Sequence, residues 1–512
     1  MIWPGSAFAF CVAGLMLGTL AAVLARAETA ALGAADWAAL RFTLLSSFLA
    51  ATTSLLMAVP MARALARRDF PGRGVLVALL GAPFLLPVVV AVMALIAVFG
   101  RAGLVNDALT ALGLPALSIY GVHGVILGLV FFNFPLAVRM LLAGWLGIPG
   151  ERFRLAESLR LGPAETQRHL EWPMLREVAP GAFLAIFLVC LTSFVVPLTL
   201  GGGPRATTLE LAIFQALRFE FDLGRAALLA ALQFGICALA VLAAARIARP
   251  AGFGTGLDRV VVARGRGGPA LAVQDAVVIG AGTLFLLVPL GSIVIEGLRG
   301  LPALPDVVWW AALRSILVAL VSAFLAVSAA LALALAIVRG PAGLARWIEM
   351  AGMLPLAASS LVLGTGLFLL VYPFVAPEAL ALPVTALVNA ALALPYVLRL
   401  ILAPLAGIER GYGRLASSLG LEGLTRLRWL ILPRLAPSLG FATGVAAALS
   451  MGDLGVIALF AGEGQATLPL VVQGLMGSYQ MEAAAGAALV LLALSFGLFW
   501  LFDQGGRRAG SG

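Results

Sequence analysis

The 512-residue chain is 62% hydrophobic and 11% charged, with a net charge of +9. An ordinary soluble domain carries about a quarter charged residues, so this composition excludes a water-solvated globule and asks for lipid as the solvent of its apolar surface. Basic residues clustered with aromatics on a soluble module are missing, which excludes a nucleic-acid partner.

A spanning helix takes about 20 apolar residues. Windows free of charge predict helices over 1–25, 42–62, 74–100, 108–138, 178–204, 226–245, 276–295, 315–338, 350–377, 379–398 and 483–502, and a twelfth over 435–462 is interrupted only by Asp453. Their length and their Leu, Ala and Val content favour helices over barrel strands, which alternate polar and apolar residues. The first window resembles a secretory leader, with "ARAETA" after its apolar run. No basic side chain precedes it and eleven spans follow, so it is expected to be retained. The expected fold class is all-α integral membrane, with about 12 transmembrane helices.

All 33 basic residues are Arg. With a cytosolic N-terminus and one crossing per window, 25 fall on the cytosolic side and 8 outside. That split obeys the positive-inside rule and makes both termini cytosolic. The absence of Lys matters, because a P-loop holds nucleotide phosphates with Lys; this chain has no ordinary Walker A site. Cys11, Cys190 and Cys237 fall inside apolar spans, and His123 and His169 stand far apart, so no disulfide framework or metal-ligand spacing is visible.

The chain repeats itself. "RLAESLRLG" (154–162) returns as "RLASSLGLE" (414–422), 260 residues on, and 10 of 21 positions agree between 141–161 and 401–421. Pro135/Pro395, Arg139/Arg399 and Pro173/Pro433 keep that register, and "PFLLPVVVAVMAL" (83–95) aligns loosely with "PLAASSLVLGTGL" (355–367) at an offset of 272. Two parallel six-helix halves follow, 1–247 and 271–512, joined by a Gly- and Arg-rich cytosolic linker over 248–270. In the second copy small residues Ala416, Ser417 and Ser418 precede Leu419 and Gly420. Leu424, Leu427 and Ile431 then share one helical face, and Leu432-Pro433 marks re-entry into the membrane. The pattern predicts a short helix–turn–helix on the cytosolic surface.

This stretch resembles the EAA loop of ABC-importer permeases, in which Gly and the closing Pro lie 13 residues apart, as Gly420 and Pro433 do. Arg414 stands where the family has an acid. The first copy, with Ala156, Glu157, Ser158, Leu159, Arg160, Gly162 and Pro173, departs further: Arg160 takes the Gly position and Trp172 replaces Leu, so the turn belongs either at Arg160 or at Gly162. The resemblance implies that each loop carries a coupling helix seated on a separate ATPase. Two copies of that subunit then dock on one chain, ATP and Mg are bound there, and this chain holds no cofactor. It also implies a periplasmic binding protein as ligand donor, a bacterial inner-membrane location, and transport rather than catalysis.

Among fused two-half permeases the chain resembles those for thiamine, in "ATTLELAIFQALRFEFDLGRAALLA" (206–230), "ALSMGDLGVIALF" (448–460) and "ATLPLVVQGLMGSYQMEAAAGAALVLL" (466–492), with ferric-iron permeases as the alternative. A twelve-helix secondary transporter is the rival class; "RRDFPGRG" (67–74) faintly resembles its basic loop, but that reading leaves the repeated loops unexplained. An acid in a span faces a partner or a water-filled path by default. Asp453, about 28 Å along the helix from Arg434, is therefore the candidate substrate-path residue, placed near the outer edge of the hydrocarbon to steer a cation. Glu210, Glu220, Asp222, Glu463 and Glu482 are expected in outer loops, solvated or meeting the binding protein, and Trp309-Trp310 as an interfacial anchor.

Overall fold

In lipid every backbone polar group has to be satisfied within the protein, and helices do this segment by segment. The computed structural model describes residues 2–27, 31–81, 86–247, 268–462 and 464–511, and among these it is helical with no strands. Twelve main helices run in two matching sets of six. The first set is α1 (Ile2–Ala27), α2 (Ala34–Arg67), α3 (Val88–Phe99), α4 (Val122–Leu146), α5 (Trp172–Leu191) and α6 (Leu223–Ile247). The second is α7 (Pro269–Gly300), α8 (Val307–Arg339), α9 (Ser360–Val371), α10 (Ala381–Ser418), α11 (Leu432–Met451) and α12 (Met481–Ser511). Among the described residues 11 helices are long and apolar enough to cross a membrane, or 12 if a bent pair counts as one.

Three expected spans are remodelled by proline and glycine. The window 350–377 is two helices, Ala342–Ala357 and Ser360–Val371, bent by 96°; Pro355 supplies no N–H at the break. The window 108–138 is broken between the short helix Leu104–Ala111 and Val122, because Gly113 and Gly121 take positive φ of 72° and 111°. Asn106 staples that non-helical stretch, donating to the carbonyls of Gly100 (2.7 Å) and Leu117 (2.9 Å). The window 74–100 likewise reaches its long helix only at α3. The expected linker lies outside the described residues over 248–267, and α7 begins at Pro269.

The two sets interlock. α1 packs against α8 and α9, and α7 packs against α2 and α3, so each set's first helix rests on the other set. Phe285 of α7 meets Phe131 and Phe134 of α4 edge-on, at 5.6 and 5.8 Å between centroids. α9 is inserted between α1, α6 and the short helix Leu209–Arg218. Gly366 lies so close to Thr19 that a Cβ there would stand 2.6 Å from the threonine Cβ. The "GTG" stretch (364–366) therefore serves helix packing, as its glycines suggest.

Polar contacts repeat with the helices. Thr43 of α2 accepts the N–H of Leu209 (2.8 Å), and Ser315 of α8 accepts that of Leu468 (2.8 Å), at the start of the matching short helix Leu468–Gly477. Asn133 of α4 donates to Cys190 of α5 (3.4 Å), and Asn389 of α10 donates to Ser450 of α11 (3.0 Å).

Helix association without a hydrophobic driving force relies on close packing of small residues. At the crossing of α11 and α12, a Cβ on Gly506 would stand 2.5 Å from the Ala436 carbonyl oxygen and 2.8 Å from the Gly440 Cα. Gly280 on α7 has nothing within 4 Å of such a Cβ. Gly440→Val is expected to destabilise the detergent-purified protein by about 1–3 kcal/mol through overpacking, read as a lower thermal unfolding midpoint, whereas Gly280→Val leaves the midpoint unchanged.

Candidate functional site: two polar loops and the seam between the halves

The repeated loops are the same object built twice. The first runs through the helix Gly150–Ser158, a turn, the helix Pro163–Thr166 and a π-helical turn Gln167–Glu171 into α5. The second runs from the end of α10 through Gly423–Arg426 and Leu427–Ile431 into α11, every boundary from Ser158 and Ser418 onward displaced by 260. In the turns, Leu161 N–H donates to Ala156 C=O and Leu421 N–H to Ala416 C=O, both at 2.9 Å. This is the six-to-one bond of a Schellman ending, which needs a left-handed residue. Gly420 provides it with φ 68°, and in the first copy Arg160 does so with φ 52°. The turn is thus at Arg160 rather than Gly162, whose N–H instead meets Glu165 (2.8 Å). A left-handed Arg costs about 1–2 kcal/mol, and the hydrogen bonds around it offset that strain.

Exposure repeats too. Ala156 and Ala416 are 4% and 3% exposed and tuck under their turns, while Glu157, Ser158, Leu159 and Arg160, like Ser417, Ser418, Leu419 and Gly420, face out. Leu159 is 62% and Leu419 66% exposed, so each turn presents a bare leucine. Pro173 and Pro433 are exposed just inside α5 and α11, and Gly162 and Leu432 are half-buried. One expectation fails: Ile431 is buried and Leu427 packs on the core, but Leu424 is exposed and does not share their face. The π-helical turn over Leu427–Ile431 carries an extra residue per turn and shifts the register that α-helical spacing assumed.

Ion pairs, invisible to motif spacing, tie both loops to the bundle. Arg63 of α2 pairs with Glu171 at 2.6 Å. In the second copy Glu409 of α10 pairs with Arg339 of α8 (2.6 Å) and with Arg426 of the loop. Arg67 and Arg68 hold Asp275 of α7 at 2.7 and 2.8 Å, locking α2 to the other set. α10 continues unbroken into its loop, whereas α4 stops at Leu146 and Pro149 opens a new helix. Both ends of the chain lie on this loop side: Gly5 touches Ala332 and Ala336 near the end of α8, and Gly510 touches Pro437 of α11.

The far ends of the helices meet at a seam. α11 stops at Met451, and a knee at Gly452 and Asp453 leads into the helix Gly455–Phe460. A Cβ on Gly452 would be 3.1 Å from the Cα of Pro87, at the head of α3, so Asp453 stands where the two sets touch. Its carboxyl faces the Ser360 hydroxyl and the N–H groups of Gly455 and Val456, with Oδ2 buried and without a hydrogen-bond partner.

The acids expected in outer loops separate. Glu220 pairs with Arg225, and Asp222 accepts the Arg225 N–H (2.9 Å). Glu482 is exposed, and Glu463 lies outside the described residues. Glu210 contradicts the expectation: it is 0% exposed, and neither carboxyl oxygen has a hydrogen-bond partner. Its polar neighbours are Ser359, whose hydroxyl accepts from Val362 N–H (3.1 Å), and Gln233, whose amide donates to the Leu191 carbonyl (2.7 Å). The helix Leu209–Arg218 folds back against α2, α6 and α9 instead of looping into solvent. Its setting inside the apolar run "LELAIF" was the only sequence signal of burial. Among the described residues no group of His, Cys, Asp and Glu is placed to hold a metal ion.

Glu409→Gln removes the charge that Arg339 and Arg426 share. We expect amide exchange across 423–431 to rise about tenfold, the effect of losing about 1.5 kcal/mol of charge-assisted bonding, with 163–171 unchanged.

No family model matches the chain. Individual relatives do. It is 37% identical over 476 residues to the thiamine transport system permease protein ThiP of Brucella abortus, across 91% of this chain and 87% of that one. Identity to its namesake in Salmonella typhimurium is 38% over 515 residues, across 96% and 95% of the two chains. With the Escherichia coli protein of the same name it is 38% over 484 residues, across 91% and 89%. At this identity and coverage, the chain belongs to the family of thiamine transport system permeases.

Proposed function

We propose that this chain is the membrane-spanning subunit of an ATP-driven importer that carries thiamine across a bacterial inner membrane. What supports the importer reading above all is the doubled loop: two copies with one backbone path, one exposure pattern and a bare leucine on each turn. Exposed apolar side chains held by a rigid, strained turn are what a docking partner uses. The cargo reading rests on the three relatives, each named for thiamine transport; they lend nothing to the ferric-iron alternative.

In this reading the loop side is cytosolic, as are both termini. One ATPase subunit docks at Ala156–Gly162 and Pro173, another at Ala416–Gly420, Leu432 and Pro433. ATP and Mg are bound by those subunits, which this chain, without Lys, is unable to replace. A periplasmic binding protein delivers thiamine at the opposite side. Closure of the ATPases draws the loops together. The ion pairs of Glu171 and Glu409 pass that motion to α2 and α8, and the halves 1–247 and 271–512 rock about the seam, opening a path past Asp453. No bond is made or broken in the cargo.

The test is ATP-dependent uptake of labelled thiamine by cells that lack their own transporter and carry this chain with its ATPase and binding protein. Leu159→Glu and Leu419→Glu are surface changes; each is expected to cut uptake and ATPase co-purification at least tenfold without loss of membrane insertion. Asp453→Asn is expected to slow uptake with normal assembly. Uptake that persists after ATP depletion would sink the importer reading.

A further inference from the structure

The seam holds two acids that packing leaves unpaired. Glu210 comes from the first half and Asp453 from the second, and they converge on consecutive residues, Ser359 and Ser360, at the head of α9. Neither acid has an ion-pair partner among the described residues: Arg225 is committed to Asp36 (2.8 Å) and Glu220, and Arg218 donates to the Ala461 carbonyl (3.2 Å). The two acids also match in depth. Leu209 hangs from Thr43, 20 residues up α2 from the paired Arg63, or about 30 Å of helix; Asp453 is about 28 Å from Arg434 by the same measure.

Aromatic rings continue outward from this point. Glu210, Phe214 and Arg218 lie on one face of their helix at spacing of four. Across the seam, Phe460 ends the helix that the Asp453 knee begins; it meets Phe368 edge-on at 5.5 Å, and Phe368 stacks on Tyr372 at 5.7 Å. Tyr372 in turn meets Phe221 of the first half at 5.5 Å. The series passes from buried Phe460 and Phe368 to exposed Tyr372 and Phe221. Phe221 is held at φ 53°, an uncommon conformation for a bulky residue, kept where the surroundings fix it. Carboxylates followed by aromatic faces form a chemical surface for an organic cation.

The repeat supplies an internal control. The position matching Glu210 is Pro469, second in the helix Leu468–Gly477, and the position matching Asp453 at offset 260 is Ser193. An acid pair needed to hold a six-helix half together would recur in both halves, and this one occurs once.

We propose that Glu210 and Asp453 form a cation-selecting station on the translocation path, which recognises the positive charge of the cargo as the seam opens. The station rests on the reading of the chain as an importer. While the seam is shut, both carboxyls are out of water; when it opens, water reaches them and the aromatic series leads the cation to them.

The test uses the full complex, with ATPase and binding protein, in liposomes. Glu210→Gln and Asp453→Asn keep the shape of the side chains and are each expected to lower thiamine turnover at saturating binding protein at least tenfold, with an unchanged melting temperature. Ser193→Ala, on the matching side, should import at the wild-type rate. Wild-type turnover in Glu210→Gln overturns the station, and so does a loss of turnover that tracks a fall in melting temperature, which assigns the acid to helix stability. If the unmodified complex imports no thiamine, the cargo reading fails separately. Import of a quaternary ammonium ion then keeps the station, and import of a neutral sugar or sulfate instead overturns it.

Discussion

Leucine gains little by leaving lipid for another leucine, so these helices hold together through close approach and through polar groups that have nowhere else to go. That constraint shapes the whole molecule. Glycines stand where α11 crosses α12 and where α1 meets α8 and α9, and buried hydroxyls and amides such as Thr43, Ser315, Asn133 and Asn389 bond across helices. Irregular backbone at membrane depth is tolerated only inside protein, and the seam gathers much of it here: the bend before α9, the knee at Asp453, and the short helices hung from Thr43 and Ser315.

A seam of broken helices between two interlocked halves is also the easiest place for the molecule to part. Packed helices slide or rock as rigid bodies, whereas a knee absorbs the change in backbone angle. The loop side is built the other way, with an unbroken α10, Schellman turns and shared ion pairs making a stiff grip. Stiff at one end and jointed at the other, each half suits the conversion of a push on a loop into opening of the seam.

The sequence disclosed the helices, the two-half repeat and the second loop, because those features are local: charge-free length, a fixed offset, and Gly420 thirteen residues before Pro433. The sequence left the first turn open between Arg160 and Gly162, since a left-handed Arg is a conformation that tertiary context imposes. Leu424 misled because a π-helical turn breaks the 3.6-residue period on which facing arguments rest. Glu210 looked like a loop acid, because no local pattern reveals that a ten-residue helix folds back against α2 and buries its first turn. The clamps of Glu171 and Glu409 are long-range pairings, which spacing does not encode.

Opening of the seam requires the two loops to move relative to each other when ATP is bound. Spin labels on Arg154→Cys and Arg414→Cys, exposed at matching places beside the docking turns, in the assembled complex with Cys11, Cys190 and Cys237 replaced, read that distance directly. ATP is expected to shorten it by several ångströms, with the original distance returning after hydrolysis. A distance that stays the same with and without ATP would rule that movement out.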